Sequence, residues 1–538
     1  MNDFFLSLLY PGEEALRRHI EGKDKPNISR QVCAALGFST LLPLKNTTLD
    51  GFFTKDAEVI AFRQDAFADL ADHPDLTKLL LEVCPVLHDI LELRKLDAAT
   101  SDNGGSTYLY SITQIELYVR CVRLLRDGLA PLQNELRSKA FRRLADAMIT
   151  FTEGEDYREL TSELDKLTER VHEIKSITVG VNLDAEYRPT DAGVLSVNAE
   201  PFQSGRVLDK ILRLSFKNDA MTCIAPLTPF EKGESENRRE ALNGAFRTAL
   251  EEVFKSSVKG WRRIAGEYVL ENADFLLRLL PEIEFLIKGA ALEEKLANMG
   301  LPLCTPTLCP PSHKAFEAYA LYNPQVAFKT ESAMVTNDLI LDDNARIYIL
   351  SGPNRGGKSV ITAAMGQAQC LCQLGLRVPA ERAQISPVDA LFTHFPEEAD
   401  DTIDKGRLGE ECARLREIFD ALEPETMILL DESLSSTGAY EASYIAAEIL
   451  TAFAIRGCRG IFSTHLHDLA AACADISQRA KESGGVAVDT LVAGMEEGER
   501  SFRISRRAPD GKSYARDITR RYGLSLEDLL ATKEHPSL

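Results

Sequence analysis

One segment constrains this chain more than any other. The apolar run Ile347-Tyr348-Ile349-Leu350 is followed by Gly352-Pro353-Asn354-Arg355-Gly356-Gly357-Lys358-Ser359 and then by a helix-forming stretch. The run fits a buried strand, and the next eight residues fit GxxxxGK[ST] in a strand, loop, helix setting. Glycines let the backbone curl so that successive N–H groups converge on a phosphate, and the helix N-terminus adds positive dipole. Lys358 is placed to reach the β- and γ-phosphates, and the Ser359 hydroxyl to ligate Mg²⁺.

A second apolar strand, Met427-Ile428-Leu429-Leu430, ends in Asp431-Glu432. A carboxylate at the end of a strand neighbouring the loop can hold Mg²⁺ through water, and its neighbour can orient or deprotonate the attacking water. Asp431 is the expected metal-side residue and Glu432 the catalytic one. A third strand, GIFSTH, puts His465 at its end, where an imidazole can contact the γ-phosphate. Three such features in this order point to a nucleotide triphosphatase.

The rest of the chain bounds that reading. At 538 residues, with 44% hydrophobic and 27% charged residues, it has the composition of a globular protein with roughly three or four units at ~150 residues each. Lys and Arg number 62 against 82 Asp and Glu, a net charge of −20, which argues against an indiscriminate nucleic-acid coat but not against a local basic groove. Asp3, Pro11 and Gly12 make an export signal incompatible with the N-terminus, and no apolar stretch approaches the ~18 residues of a membrane span. Eleven scattered cysteines without a CxxC pair fit reduced thiols in a cytoplasmic protein, with no zinc site.

Residues 1–45 read as short helices, and 46–303 as a mainly helical core. Ile115, Tyr118, Val122, Leu125, Leu129, Leu132 and Leu136 step by threes and fours along one seam, which Gly128 and Pro131 are expected to break. Leu160, Leu164, Leu167, Val171 and Ile174 form a second seam. Ile177, Val179, Val181 and Leu183 alternate as a strand whose hairpin partner follows Pro189, giving a small β insertion near 177–200. The proline-rich stretch at 304–318 is the expected linker to an α/β domain at 319–538.

GPNRGGKS, then Val378-Pro379-Ala380, ISPVDALFTHF, LLDESLSSTGAYEA, STH and APDGKSYARDITRRYGLS together resemble the ATPase domain of the MutS family of DNA mismatch-repair proteins. The likeness is strong over about 320–530, and TLDGFFTKDAEVIAFRQDAFADL is similar to the start of that family's helical core. The resemblance implies a P-loop ATPase of ABC type that binds ATP and Mg²⁺ as a homodimer, with a C-terminal helical dimerisation segment. On it, Gly352, Asn354, Gly357, Lys358, Ser359, Asp431, Glu432 and His465 match the nucleotide site, Met334 falls where an aromatic stacks on adenine, and Thr437 faces the partner subunit. It also implies a cytoplasmic or nucleoid clamp on double-stranded or branched DNA in repair or recombination, with a MutL-like partner. A clamp on another partner, such as the ribosome, is the alternative. An ABC transporter subunit is disfavoured by the absence of an LSGGQ signature.

Three departures from the family pattern matter. The signature segment reads Lys405-Gly406-Arg407-Leu408-Gly409, with leucine where the family has serine. Met334 offers no ring. The chain starts almost directly in the core-like region, so the mismatch-reading module is expected to be missing, and Phe151-Thr152-Glu153, between the two seams, matches its Phe-x-Glu wedge by chance. Basic clusters at Arg137–Arg143, Lys259–Arg263 and Arg500–Arg521 fit phosphate tracking or simple solvation.

Overall fold

The computed structural model describes residues 5–44, 47–101, 108–172, 175–186, 189–198, 200–201, 203–204, 222–223, 261–330, 334–395, 407–496, 499–509, 522–524 and 526–531. They fall into two compact units, one of Met1–Pro74, Arg137–Ala140 and Glu284–Leu538, the other of Asp75–Leu136 and Phe141–Ile283. Sequence patterning divides the chain at 45 and 303; the units divide it elsewhere, and the first 74 residues belong with the α/β layer.

In the first unit, short helices at Glu13–Ile20 and Arg30–Ala35 lead to helix α1 (Ala57–Asp72). Asp56 caps α1 by accepting from the amides of Glu58 and Val59, and Val59, Ile60, Phe62, Ala66, Phe67 and Leu70 form its buried stripe.

The second unit is mainly helical: α2 (Pro74–Ser101), α3 (Tyr108–Leu129), α4 (Lys139–Glu153) and α5 (Glu155–His172), followed by the antiparallel hairpin of β1 (Ser176–Leu183) and β2 (Pro189–Asn198). The helical seam is buried at Ile115, Tyr118, Val122, Leu125 and Leu129, each 2% exposed or less. At Leu129 α3 ends, and Ala130–Leu132 turns as a 3₁₀ helix at Pro131. Phe151 stacks on Phe275, ring centroids 5.3 Å apart, so it packs inside this unit and is not displayed as a wedge. A long helix, α6 (Trp261–Asn298), follows and belongs to the first unit from Glu284 onward.

The remaining elements of the first unit include β3 (Thr307–Leu308), β4 (Phe316–Leu321), β5 (Asn337–Leu341), β6 (Ile347–Ser351), α7 (Lys358–Leu374), β7 (Arg382–Ile385), β8 (Ala390–His394), α8 (Arg407–Asp420), β9 (Thr426–Asp431), α9 (Ala439–Ile455), β10 (Arg459–Ser463), β11 (Val488–Glu496) and β12 (Glu499–Arg506). The larger sheet has the order β8-β9-β10-β6-β11-β12. Its first five strands are parallel and β12 runs antiparallel to β11. Every residue of β6, β9 and β10 is buried, as expected of parallel strands covered on both faces.

A smaller sheet, β3-β7-β4-β5, incorporates the stretch that its prolines marked as a linker. Cys304 and Val378 exchange backbone hydrogen bonds of 3.1 and 2.8 Å, and β3 pairs with β7 as an edge strand. Prolines flank an edge strand without removing a ladder bond, so they do not make this stretch a spacer.

Between the phosphate-loop strand and the N-terminal residues runs α7, buried at every residue from Ala364 to Leu374. A helix covered all round must satisfy its polar side chains locally. Gln367 Nε2 donates to Leu36 O at 2.8 Å, and Gln373 Nε2 to Thr54 O and Val388 O, each at 3.1 Å. The contacts to Leu36 and Thr54 fix the N-terminal segment to the helix that begins at Lys358.

Candidate nucleotide site

Three loops meet at the carboxyl ends of β6, β9 and β10, where open parallel sheets place their ligands. Register carries them there: Asp431 pairs with Ser463, and Ser463 with Leu350. Past β6, the loop 352–357 takes two left-handed glycines, Gly352 at φ 138° and Gly357 at φ 91°, with Arg355 at φ 60° between them. A side chain at Gly352 would sit 2.8 Å from Ala493 Cβ on β11, so this turn admits only glycine at that place.

Lys358 opens α7 and is 4% exposed. Its ammonium donates back across the loop to Gly352 O at 3.1 Å and Pro353 O at 3.2 Å. Burial lowers its pKa, and Glu432 and Asp431 oppose that shift. The amine therefore waits inside the curl of the loop, held by two carbonyls that a phosphate oxygen can replace.

Asp431, at the end of β9, is 6% exposed. Burial raises its pKa, and hydrogen bonds from the Ser463 and Ser359 hydroxyls oppose the rise. The Ser359 hydroxyl and the Asp431 carboxylate thus share one place, and this hard-oxygen donor pair suits a Mg²⁺ ion that keeps most of its waters. Glu432 is half-buried; its amide donates to Ser463 O at 2.9 Å, and its backbone is left-handed at φ 46°.

Beside these groups lies a cavity of about 480 Å³. Arg355, Gly357, Lys358, Ser359 and Glu432 line it at the loop end, and Tyr322, Asn323, Met334, Val335 and Phe502 farther along. Met334 is among the residues lining the cavity. Gly352, Pro353, Asn354 and Gly356 build the loop without lining it. His465 is exposed in the segment after β10 and is not among the lining residues. Thr437 precedes α9 and donates to Glu441 Oε2 at 2.6 Å.

Sequence patterning missed Phe502. It sits on the antiparallel strand β12 at φ 56°, 45% exposed. The Asn337 side chain fixes it, donating to Phe502 O at 3.1 Å and accepting from the Ile504 amide at 2.7 Å. The signal was a distant asparagine completing a strand edge, which no local spacing reveals.

Leu408 packs in the first turn of α8 against the apolar core of the sheet. Lys405 and Gly406 lie outside the described residues, as do Lys259, Lys512, Arg516, Arg520 and Arg521. Of the basic clusters, Arg506 is committed to Asp489 at 2.6 Å and Asp342 at 3.1 Å, and Arg137 reaches Asp72 at 3.4 Å. Those two cations serve internal ion pairs.

Comparison with known proteins agrees with this layout. Residues 348–508 match the family model described as MutS domain V, and residues 55–299 match the MutS2 N-terminal domain. Endonuclease MutS2 of Thermus thermophilus is 29% identical over 214 residues, 40% of this chain and 27% of that protein. DNA mismatch repair protein MutS of Symbiobacterium thermophilum is 34% identical over 142 residues, 26% of this chain and 16% of that protein. MutS of Prochlorococcus marinus is 31% identical over 141 residues, 26% of this chain and 15% of that protein. The matched segments thus span about a quarter or less of these relatives' lengths. With the MutS2 N-terminal domain model and the MutS domain V model matched one after the other along it, the chain belongs to the MutS family.

Proposed function

We propose that this protein is a Mg²⁺-dependent ATPase whose hydrolytic cycle drives a homodimeric clamp on double-stranded or branched DNA. The observation that carries the ATPase reading is the convergence of Lys358, Ser359 and Glu432 at the loop end of one cavity, with Asp431 hydrogen-bonded to Ser359 just behind them. Lys358 exchanges its two carbonyl partners for β- and γ-phosphate oxygens, a move that costs little because the amine is already desolvated and aimed along the loop. Ser359 and Asp431 would hold Mg²⁺, which supplies charge neutralisation at the phosphates. Glu432 orients the attacking water and accepts its proton. The base lies toward Met334 and Phe502, where the phenyl face supplies the stacking surface that Met334 lacks.

For the dimer, the supporting feature is the exposed start of α9, where Tyr440 and Tyr444 are 80% and 66% exposed next to Thr437. A two-fold interface there completes both nucleotide sites from one surface. His465 is assigned a sensing role at the γ-phosphate, reached once nucleotide and partner close around it. For DNA, support comes from family membership and from relatives named as mismatch repair proteins. No described helix is long and apolar enough to cross a membrane, which leaves a nucleoid setting open to the clamp.

The deciding experiment measures ATP turnover, and affinity for branched, mismatched and homoduplex DNA with and without a non-hydrolysable ATP analogue, across a salt series. ATP-dependent DNA affinity with a steep salt slope supports the clamp. Turnover without DNA binding at low salt moves the partner elsewhere, the ribosome being the first to assay.

A further inference from the structure

The turn that carries Glu432 is held in an unfavourable backbone conformation. Glu432 and Leu434 both have positive φ, 46° and 65°, and neither is glycine. Left-handed residues with side chains, two positions apart, persist only where their surroundings over-determine them. Three contacts do this. The Glu432 amide donates to Ser463 O on β10, at 2.9 Å. The Leu434 side chain is 1% exposed in the core cluster under the sheet. Between them, the Ser433 hydroxyl lies 2.7 Å from Nδ1 of His394, the last residue of β8, with the His394 carbonyl a further 3.4 Å acceptor.

The His394–Ser433 contact is buried on both sides, at 6% and 4% exposure. Breaking it leaves a polar group without solvent, so it resists opening more than an exposed hydrogen bond does. A second tie in the same loop, from Ser436 Oγ to Glu411 Oε2 at 3.0 Å, is open to water and exchanges freely with it. The buried pair is therefore the one able to set the direction of the Glu432 side chain. His394 also ends the strand next to β9, so the pair locks the catalytic turn to the strand end at which the segment leading to α8 departs.

We propose that His394 is a positioning residue for hydrolysis: through Ser433 it holds the left-handed turn that aims Glu432, and it adds nothing to nucleotide affinity. The inference rests on the reading of Glu432 as the residue that acts on the attacking water. His394 is not among the residues lining the cavity, and it meets the turn that carries Glu432 at Ser433.

The test uses the full chain with His394→Ala, His394→Asn, Ser433→Ala and the double variant His394→Ala/Ser433→Ala. Each is assayed for ATP turnover, for affinity toward a fluorescent non-hydrolysable ATP analogue, and for hydrogen exchange at the Glu432 amide. Loss of one buried hydrogen bond is expected to lower kcat about tenfold in each single alanine variant, with analogue affinity within about twofold of wild type. The double variant should fall no further than the singles, because the two residues form one contact. Asparagine, whose amide can occupy the Nδ1 position, should restore most of the rate. Exchange at the Glu432 amide should speed up in the alanine variants and return in His394→Asn. Unchanged kcat, a double variant equal to the product of the singles, or loss of analogue affinity in parallel with kcat overturns the proposal. Glu432→Gln separates the two readings: if it hydrolyses normally, the role of Glu432 fails, while the exchange data, which need no turnover, still decide whether His394 holds the turn.

Discussion

The Ser463 hydroxyl donates to Asp431 Oδ1 across the register pair that joins β10 to β9. That bond turns a buried carboxylate, whose burial alone favours protonation, toward the ionised form that a cation requires. The same residue's carbonyl accepts the Glu432 amide, so Ser463 aligns both members of the acidic pair from the neighbouring strand.

Removing the charge or the base should separate binding from chemistry. Glu432→Gln keeps the shape and is expected to bind ATP as wild type while losing about 10²- to 10⁴-fold in turnover, the usual range for a positioned general base. Lys358→Ala removes a charge-assisted contact to phosphate and should weaken ATP binding about 10- to 100-fold. Chelating Mg²⁺ should stop hydrolysis in the wild type. Equilibrium binding of a labelled nucleotide alongside phosphate release measures both quantities, and a Glu432→Gln protein that turns over normally would remove that residue from the chemistry.

Phe502 and Met334 offer a second separation. Stacking of a base on an aromatic face is worth about 1–3 kcal/mol, so Phe502→Ala should weaken ATP binding about tenfold. Met334→Phe should strengthen it. Asn337→Ala should act like a mild Phe502→Ala, since it releases the backbone that presents the ring. Titration with ATP and with a ribose triphosphate lacking the base distinguishes these effects from changes at the phosphates.

Legibility followed the range of each contact. The strand, loop and helix at 347–374 and the strand that ends at the Asp431-Glu432 pair stand in contiguous runs, so their placement could be read residue by residue. The break at Gly128 and Pro131 was equally local, and the helix does stop at Leu129. What the patterning could not show depends on partners far along the chain. Gln367 and Gln373 look like polar residues of a solvated helix face until Leu36, Thr54 and Val388 are seen to accept from them. The prolines at 302–311 exclude a helix, but they are equally at home beside an edge strand. His394 and Ser433 are 39 residues apart and meet only because β8 and β9 are adjacent. Phe502 reaches the cavity through Asn337, 165 residues away.

Gly352→Ala tests the turn itself. With φ at 138° and a Cβ placed 2.8 Å from Ala493 Cβ and 3.1 Å from its backbone, alanine must strain the loop or push β11 aside. A cost of about 1–3 kcal/mol in unfolding free energy is expected, together with weakened ATP binding. Gly12→Ala is the control: no atom lies within 4 Å of its Cβ position and its backbone is extended at φ −170°, so stability should stay within about 0.5 kcal/mol. Denaturant titration of both variants settles the comparison, and equal stabilities would mean that the loop accommodates a side chain.

Glu293 on α6 gives a pH signature away from the nucleotide. It is 3% exposed, and it accepts from the Arg377 amide at 2.8 Å and from Arg377 Nε at 2.7 Å. Burial raises its pKa above the ordinary carboxylate value, with Arg377 offsetting only part of the rise. The folded protein therefore holds this proton more tightly than the unfolded chain does. Its contribution to stability is complete below the unfolded value near 4.5 and is lost as pH climbs through the raised folded value. Glu293→Gln has no proton to lose, so that fall should vanish from its profile while the rest of the curve is retained. Denaturant unfolding of both proteins between about pH 4 and 8 measures the difference, and parallel profiles would show that Glu293 is already ionised throughout by its contact with Arg377.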